Sequence, residues 1–166
     1  MTHQPAERGA ETALASISHD IELWCMDPWD RQVEVPTTFG YRSCDPYAVS
    51  LTFHSGAGDV EWVVSRTLVL QGLAAAAGEG DVKVHPEVGE DNRAIAVFDF
   101  CSPDGRLVAR ADSHDVQLFL ARSFAMVPVG TEGRHMDIDA LIASLLNPFD
   151  VNPFDPFDPF DVDPFD

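Results

Sequence analysis

Polar and apolar residues alternate over much of the chain, and the alternation gives way to helical spacing in two places. Asp20–Met26 sets Ile21, Leu23 and Cys25 against Glu22 and Trp24. That period of two predicts a strand with one buried face. Asp27-Pro28-Trp29-Asp30 reads as a turn. Gln32–Val35 reads as a short second strand ending at Pro36, and Thr37–Cys44 as an extended connection with Tyr41 as a candidate anchor. The stretch from Asp45 to Trp62 is the clearest. Pro46 suits the first position of a strand, because its φ is fixed and it has no backbone N–H. Tyr47, Val49, Leu51 and Phe53 then share one face, a Gly-containing loop follows over His54–Asp59, and Val60, Trp62 and Val64 form the return strand. Two such runs joined by a short Gly-bearing loop predict a hairpin, which we place at the centre of the sheet.

Beyond Ser65 the spacing changes. Leu68, Leu70, Leu73 and the alanines that follow predict a helix over Arg66–Ala77 ended by Gly78. Strands follow over Gly80–Pro86, with Val82 and Val84 inward, and over Arg93–Ser102. Ser102-Pro-Asp-Gly105 is a strong turn signal, and Arg106–Ala111 returns as the partner strand. Asp112 or Ser113 caps a second helix whose buried face carries Val116, Phe119, Leu120, Ser123 and Phe124. After a loop holding Glu132 and Arg134, Asp137 caps a last helix over Ile138–Leu146, closed by Asn147-Pro148. About seven short strands and about three helices predict an α+β domain, with helices packed on a curved, mostly antiparallel sheet. The expected organisation is a flexible arm over residues 1–18, one domain over 19–146 and a tail over 147–166.

The order of several short pieces carries a resemblance. Asp45-Pro-Tyr-Ala-Val, Phe53-His-Ser-Gly and Val60-Glu-Trp-Val with Ser65-Arg66 resemble the SsgA-like proteins of sporulating actinomycetes. Leu70-Gln-Gly-Leu73, Gly78-Glu-Gly-Asp-Val82, Ser102-Pro-Asp-Gly105, Phe119-Leu120, Val127-Pro-Val-Gly-Thr-Glu132 and Asp137-Ile-Asp139 continue it in the same order, so it covers about Ile21 to Leu146. The resemblance implies a twisted antiparallel sheet with helices, assembled as a homotrimer similar to the Whirly fold of single-strand nucleic-acid binders. It further implies a non-enzymatic regulator that places the FtsZ ring during sporulation, acting on FtsZ or its membrane anchors and recruited to septa.

Charge narrows the partners. The 166-residue chain carries a net charge of −18, and six Asp in the tail with no Lys or Arg leave −12 on residues 1–146. Ten Lys and Arg in all supply no phosphate-tracking surface. Nucleic acid and anionic membranes are therefore disfavoured, and basic protein surfaces are not. The alternative reading, a Whirly-type single-strand nucleic-acid binder, has this charge against it. Three cysteines, Cys25, Cys44 and Cys101, form no C-x-x-C pair and read as reduced, mostly buried thiols. The opening residues lack a secretion-signal pattern, and no apolar run approaches the about 18 residues of a membrane span. The expected location is cytoplasmic, without direct membrane insertion.

Asn147–Asp166 repeats Pro-Phe-Asp five times, with Phe149, Phe154, Phe157, Phe160 and Phe165. Proline at this density favours polyproline II, in which a period of three would set Phe154, Phe157 and Phe160 on one edge about 9 Å apart. Asp155, Asp158 and Asp161 would form a second, anionic edge. Acidic solubility tails are usually poor in aromatics. These eight residues are therefore the candidate partner-binding set, each repeat offering a ring for a pocket and a carboxylate for a cation, with repetition raising avidity. The tail's partner is unspecified.

Catalytic patterns are absent from the sequence. There is no Walker loop, no G-x-S-x-G elbow and no metal-ligand spacing among the six histidines. No catalytic residue, cofactor or metal is assigned. Arg66 and Arg134 are scarce cations, expected to pair with carboxylates, and Tyr47, Phe53 and Trp62 are expected in the core.

Overall fold

In the computed structural model, which describes residues 15–27 and 29–146, the alternating runs close into one seven-stranded antiparallel sheet. The strands are β1 (Ser16–Met26), β2 (Gln32–Arg42), β3 (Ala48–Phe53), β4 (Val60–Ser65), β5 (Val82–Val88), β6 (Ala94–Ser102) and β7 (Gly105–Asp112). Helix α1 (Arg66–Gly72) follows β4, and α2 (Ser113–Met126) follows β7. A 3-10 turn spans Glu132–His135. Helix α3 (Ile138–Leu146) belongs to a second compact unit that begins at Asp137, whose carboxylate accepts from the Ala140 N–H at 2.8 Å. The arm before residue 15 and the Pro-Phe-Asp tail, with all eight candidate residues, lie outside the described residues.

The strand order is β4-β3-β2-β1-β7-β6-β5. This corrects one expectation: the β3–β4 hairpin forms an edge, and β1 is the central strand. Alternation tells which side of a strand is buried but not which strand lies beside it. The edge position also explains why Tyr47 and Val60, which carry the hairpin's apolar pattern, are more than half exposed. Val49, Leu51, Phe53 and Val64 are buried, and Trp62 is partly buried against the core.

Several element boundaries also move. β1 starts at Ser16, since its first residues pair with the far end of β2, Ser16 opposite Arg42. β2 does not stop at Pro36 but runs on to Arg42. The Pro36 carbonyl accepts from the His54 N–H on the β3 side, just past Phe53 where β3 has ended. Its missing N–H faces the same side, so no ladder bond is lost. Helix α1 ends at Gly72 although four alanines follow. A Cβ at Gly72 would meet the side chain of Val84 on β5. The chain then turns back so that Ala77 and Val84 exchange backbone hydrogen bonds of 2.8 and 2.9 Å. The alanine run thereby covers part of the β5 edge, and packing overrides helix propensity.

One face of the sheet holds the core. Ile21, Leu23, Phe39, Ala96, Phe98 and Ala109 are buried beneath Val116, Phe119 and Leu120 of α2. Phe39 meets Phe98 and Phe119 edge-on at 5.9 and 5.5 Å. Phe53 on β3 lies 5.3 Å from Phe100 on β6, ring centre to ring centre. Four strand spacings separate these strands, about 19 Å in a flat sheet. The sheet therefore curls strongly about this face.

Candidate functional site

Two polar constructions stand out, one buried and one exposed. The buried one centres on Arg66, the first residue of α1, which is 1% exposed. Its guanidinium lies 4.9 Å from the Tyr41 ring centre and 4.4 Å from that of Phe124. Nη1 donates to the Ser123 and Val127 carbonyls at 3.1 and 2.9 Å, which caps the C-terminal end of α2 where helix carbonyls lack partners. Nη2 donates to Glu132 Oε1 at 2.9 Å, and the Gly130 N–H donates to the other carboxylate oxygen. The Glu132 carboxyl is held below the ordinary glutamate range by its own backbone N–H, with the Arg66 guanidinium and the Gly130 N–H adding to this against the opposing effect of burial. Burial pushes the Tyr41 hydroxyl up, with Arg66 opposing. Arg66 is thus the paired structural cation the sequence suggested. Arg134 is exposed and has no carboxylate within 4.0 Å among the described residues, so that expected pairing is not made.

The exposed construction is the other face of the sheet. On it, Asp20 and Thr38 stand opposite each other on β1 and β2. The Thr38 hydroxyl donates to Asp20 Oδ1 at 2.7 Å and lies 2.8 Å from His54 Nε2, while His54 Nδ1 lies 3.1 Å from Asp59. Carboxylate, imidazole and hydroxyl follow the order of an acyl-transfer triad. The single hydroxyl proton, however, is directed at Asp20. The imidazole must then donate to Thr38 and cannot act as its base. This chain of contacts joins the middle of β1 and β2 to the β3–β4 loop.

Further along the same face, Glu34, Trp24, Arg110, Val97 and His85 form one cross-strand row over five strands. Trp24 opposite Arg110 is the one registered pair between β1 and β7, so β1 crosses β7 more than it runs beside it. A cleft of about 340 Å³ opens there, lined by Glu22, Trp24, Glu34, Asp91, Asp112 and Asp115 among others. It adjoins a second of about 630 Å³, which shares Trp24, Gln32, Asp91 and Ile95 and adds Glu87 and Glu90. Two guanidinium groups reach this surface. Arg93 Nε is 3.1 Å from Asp91, and Arg110 Nε is 3.5 Å from Glu87. No group of three or more His, Cys, Asp or Glu among the described residues could hold a metal ion.

The sequence reading placed its site on the tail and passed over this cleft. Its signal was a tryptophan beside Glu22 on the polar side of an otherwise regular alternation. His54, His114 and the cysteines form no metal-binding group among the described residues. Cys44 and Cys101 are exposed and Cys25 is half-buried, so the thiols expected to be mostly buried lie nearer the surface. Among the same residues, no helix is long and apolar enough to cross a membrane.

Comparison with known proteins gives a consistent answer. The family model described as Streptomyces sporulation and cell division protein, SsgA, matches residues 35–132. A sporulation-specific cell division protein SsgB from Kineococcus radiotolerans is 46% identical over 114 residues, covering 68% of this chain and 69% of the relative. The SsgB of Streptomyces coelicolor is 36% identical over 132 residues, covering 79% of this chain and 96% of the relative. Among solved structures, an SsgB studied through mutations that correlate with longitudinal cell division during sporulation of Streptomyces coelicolor superposes with a TM-score of 0.70 at 36% identity. That superposition covers 74% of this chain and 96% of the other. An SsgA-like sporulation-specific cell division protein from Thermobifida fusca gives 0.72 at 31% identity, covering 81% of this chain and 98% of the other.

Proposed function

This chain belongs to the SsgA family of sporulation and cell division proteins, and from that premise we propose that it is a non-enzymatic adaptor of sporulation-specific cell division. It acts by protein–protein contacts at the septum, on FtsZ or its membrane anchors, as a homo-oligomer, with a trimer as the assembly the family resemblance implies. The observation that carries this reading is the match over residues 35–132, which takes in the sheet from most of β2 through β7 and the Arg66–Glu132 pair. The exposed sheet face supports contact with proteins in preference to nucleic acid. Its cleft is ringed by carboxylates, which would repel phosphates.

The Pro-Phe-Asp tail serves as a multivalent docking segment for a second partner. Each of Phe149, Phe154, Phe157, Phe160 and Phe165 fills a pocket, while Asp155, Asp158 and Asp161 meet cations. The test is capture from sporulating host lysate, with the full chain beside one ending at Leu146, read by immunoblot for FtsZ. Capture by both supports the role of the folded body, and capture by neither sinks it. Replacing the five phenylalanines with alanine while keeping every Asp should abolish capture of any partner that needs the tail. Unchanged capture would refute ring-in-pocket docking. A mobility shift of single-stranded DNA that weakens as salt rises would favour the nucleic-acid reading instead.

A further inference from the structure

Trp24 lies where the two clefts of the exposed sheet face meet, so together they form one trough between the far end of the β1–β2 hairpin and the β5–β6 turn. The apolar parts of the trough are Trp24, Ile95 and Met26. Its rim is anionic. Asp91 and Glu87 face Arg93 and Arg110, the two cations that line it among the described residues. Glu22, Glu34 and Asp115 have no Lys or Arg within 4.0 Å among the described residues. Elsewhere, Asp99 pairs with Arg106 at 2.7 Å and Asp27 with Arg31 at 2.7 Å.

We propose that this trough is the docking groove for an extended, Arg- or Lys-bearing segment of a protein partner. The proposal rests on the reading that the domain works through protein contacts, and it assigns those contacts a surface and a chemistry. A guanidinium or ammonium set over the Trp24 ring gains a cation–π contact. Its aliphatic stem lies along Ile95 and Met26. Its charge meets Glu22 and Glu34, which flank Trp24 along β1 and across to β2. Length favours a peptide over a small molecule, since two clefts of about 340 and 630 Å³ run together. A metal ion is not the occupant, because these carboxylates do not converge among the described residues. The chain's own outlying segments do not suit either. Residues 147–166 hold six Asp and no Lys or Arg, and the first fourteen residues hold a single Arg, Arg8, beside Glu7 and Glu11. Like charges repel the tail from this rim, which leaves a separate protein as the occupant.

The test uses the full chain and a fluorescent synthetic peptide alternating Arg and Ala, with a Glu and Ala peptide as counterpart. Anisotropy is read at fixed ionic strength. Glu22→Lys with Glu34→Lys reverses the rim at two exposed positions. Asp81→Lys with Asp104→Lys makes the same change in net charge at the opposite end of β5, β6 and β7. Unchanged thermal midpoints establish that both variants fold. The expected result is binding of the Arg peptide only, weakened about tenfold by the rim variant and by less than about threefold by the distant one. Trp24→Leu should also weaken it, because the aliphatic side chain has no ring face. Equal losses in both charge variants would reduce the effect to general attraction and overturn the groove, as would no binding by the parent chain. Running the rim variant through the FtsZ capture assay separates the two readings: retained capture with equal peptide losses removes the groove and leaves the adaptor role standing.

Discussion

The guanidinium of Arg66 and the carboxylate of Glu132 meet at 2.9 Å across 66 residues of chain, in a site where neither side chain is more than 9% exposed. The pair ties the start of α1 to the segment that follows α2. Removing one partner from such a site leaves the other buried and unpaired. Arg66→Ala should therefore cost about 3–5 kcal/mol of stability, visible as a lower urea midpoint. Arg66→Lys should fall between, since a single ammonium cannot serve Glu132 and the α2 carbonyls with the same fork. A loss under about 1 kcal/mol in Arg66→Ala would show that the site is solvated in solution.

The same pair has a pH signature. Glu132 is held below its ordinary value of 4.5 in the folded chain. A group with a depressed folded pKa contributes stability that is present above its unfolded pKa and is lost as pH falls through the folded one. The parent chain should thus lose stability below about pH 4.5, and Glu132→Gln should be weaker at neutral pH yet lose less on acidification. Asp99, held low by its hydrogen bond from Arg106, titrates in the same window in both proteins and cancels in the difference. Parallel stability curves for the two proteins from pH 7 to pH 3 would count against this role for Glu132.

Gly72 should resist replacement. Alanine is the better helix residue by about 1 kcal/mol, but its Cβ would meet Val84. We expect Gly72→Ala to destabilise by about 1–3 kcal/mol. Adding Val84→Ala should recover part of that loss relative to the sum of the two single changes. Strict additivity in the thermal or urea midpoints would rule out the contact as the cause.

Asp112 caps α2, its carboxylate accepting from the His114 N–H at 2.8 Å. Asp112→Ala should cost about 1 kcal/mol, and Asp112→Asn or Asp112→Ser much less, because the oxygen and not the charge satisfies the free N–H. Equal losses in all three variants would assign the effect to charge. Urea titration of the three side by side makes the comparison.

Much was legible from residues alone. The alternation in β1 and β3 identified their buried faces, since the period of two is a property of the extended backbone itself. The cap and buried face of α2 were readable because Asp112 and the spacing of Val116, Phe119, Leu120 and Ser123 are local to one helix. The family was readable from the order of short motifs, none specific alone. Tertiary structure decided the remainder. The β3–β4 hairpin became an edge and β1 the centre, because strand order depends on pairings between distant segments that alternation does not encode. Pro36 passed into a continuous strand because its missing N–H faces a place where the neighbouring strand has stopped. The alanines after Gly72 left the helix because Val84 fills the space that a longer helix would use. Glu132 became the partner of Arg66, and Trp24 came to line an anionic trough, only once curling brought remote strands together. Local chemistry sets which side of each element seeks the core; the closing of the sheet sets which side chains meet there and which are left facing a partner.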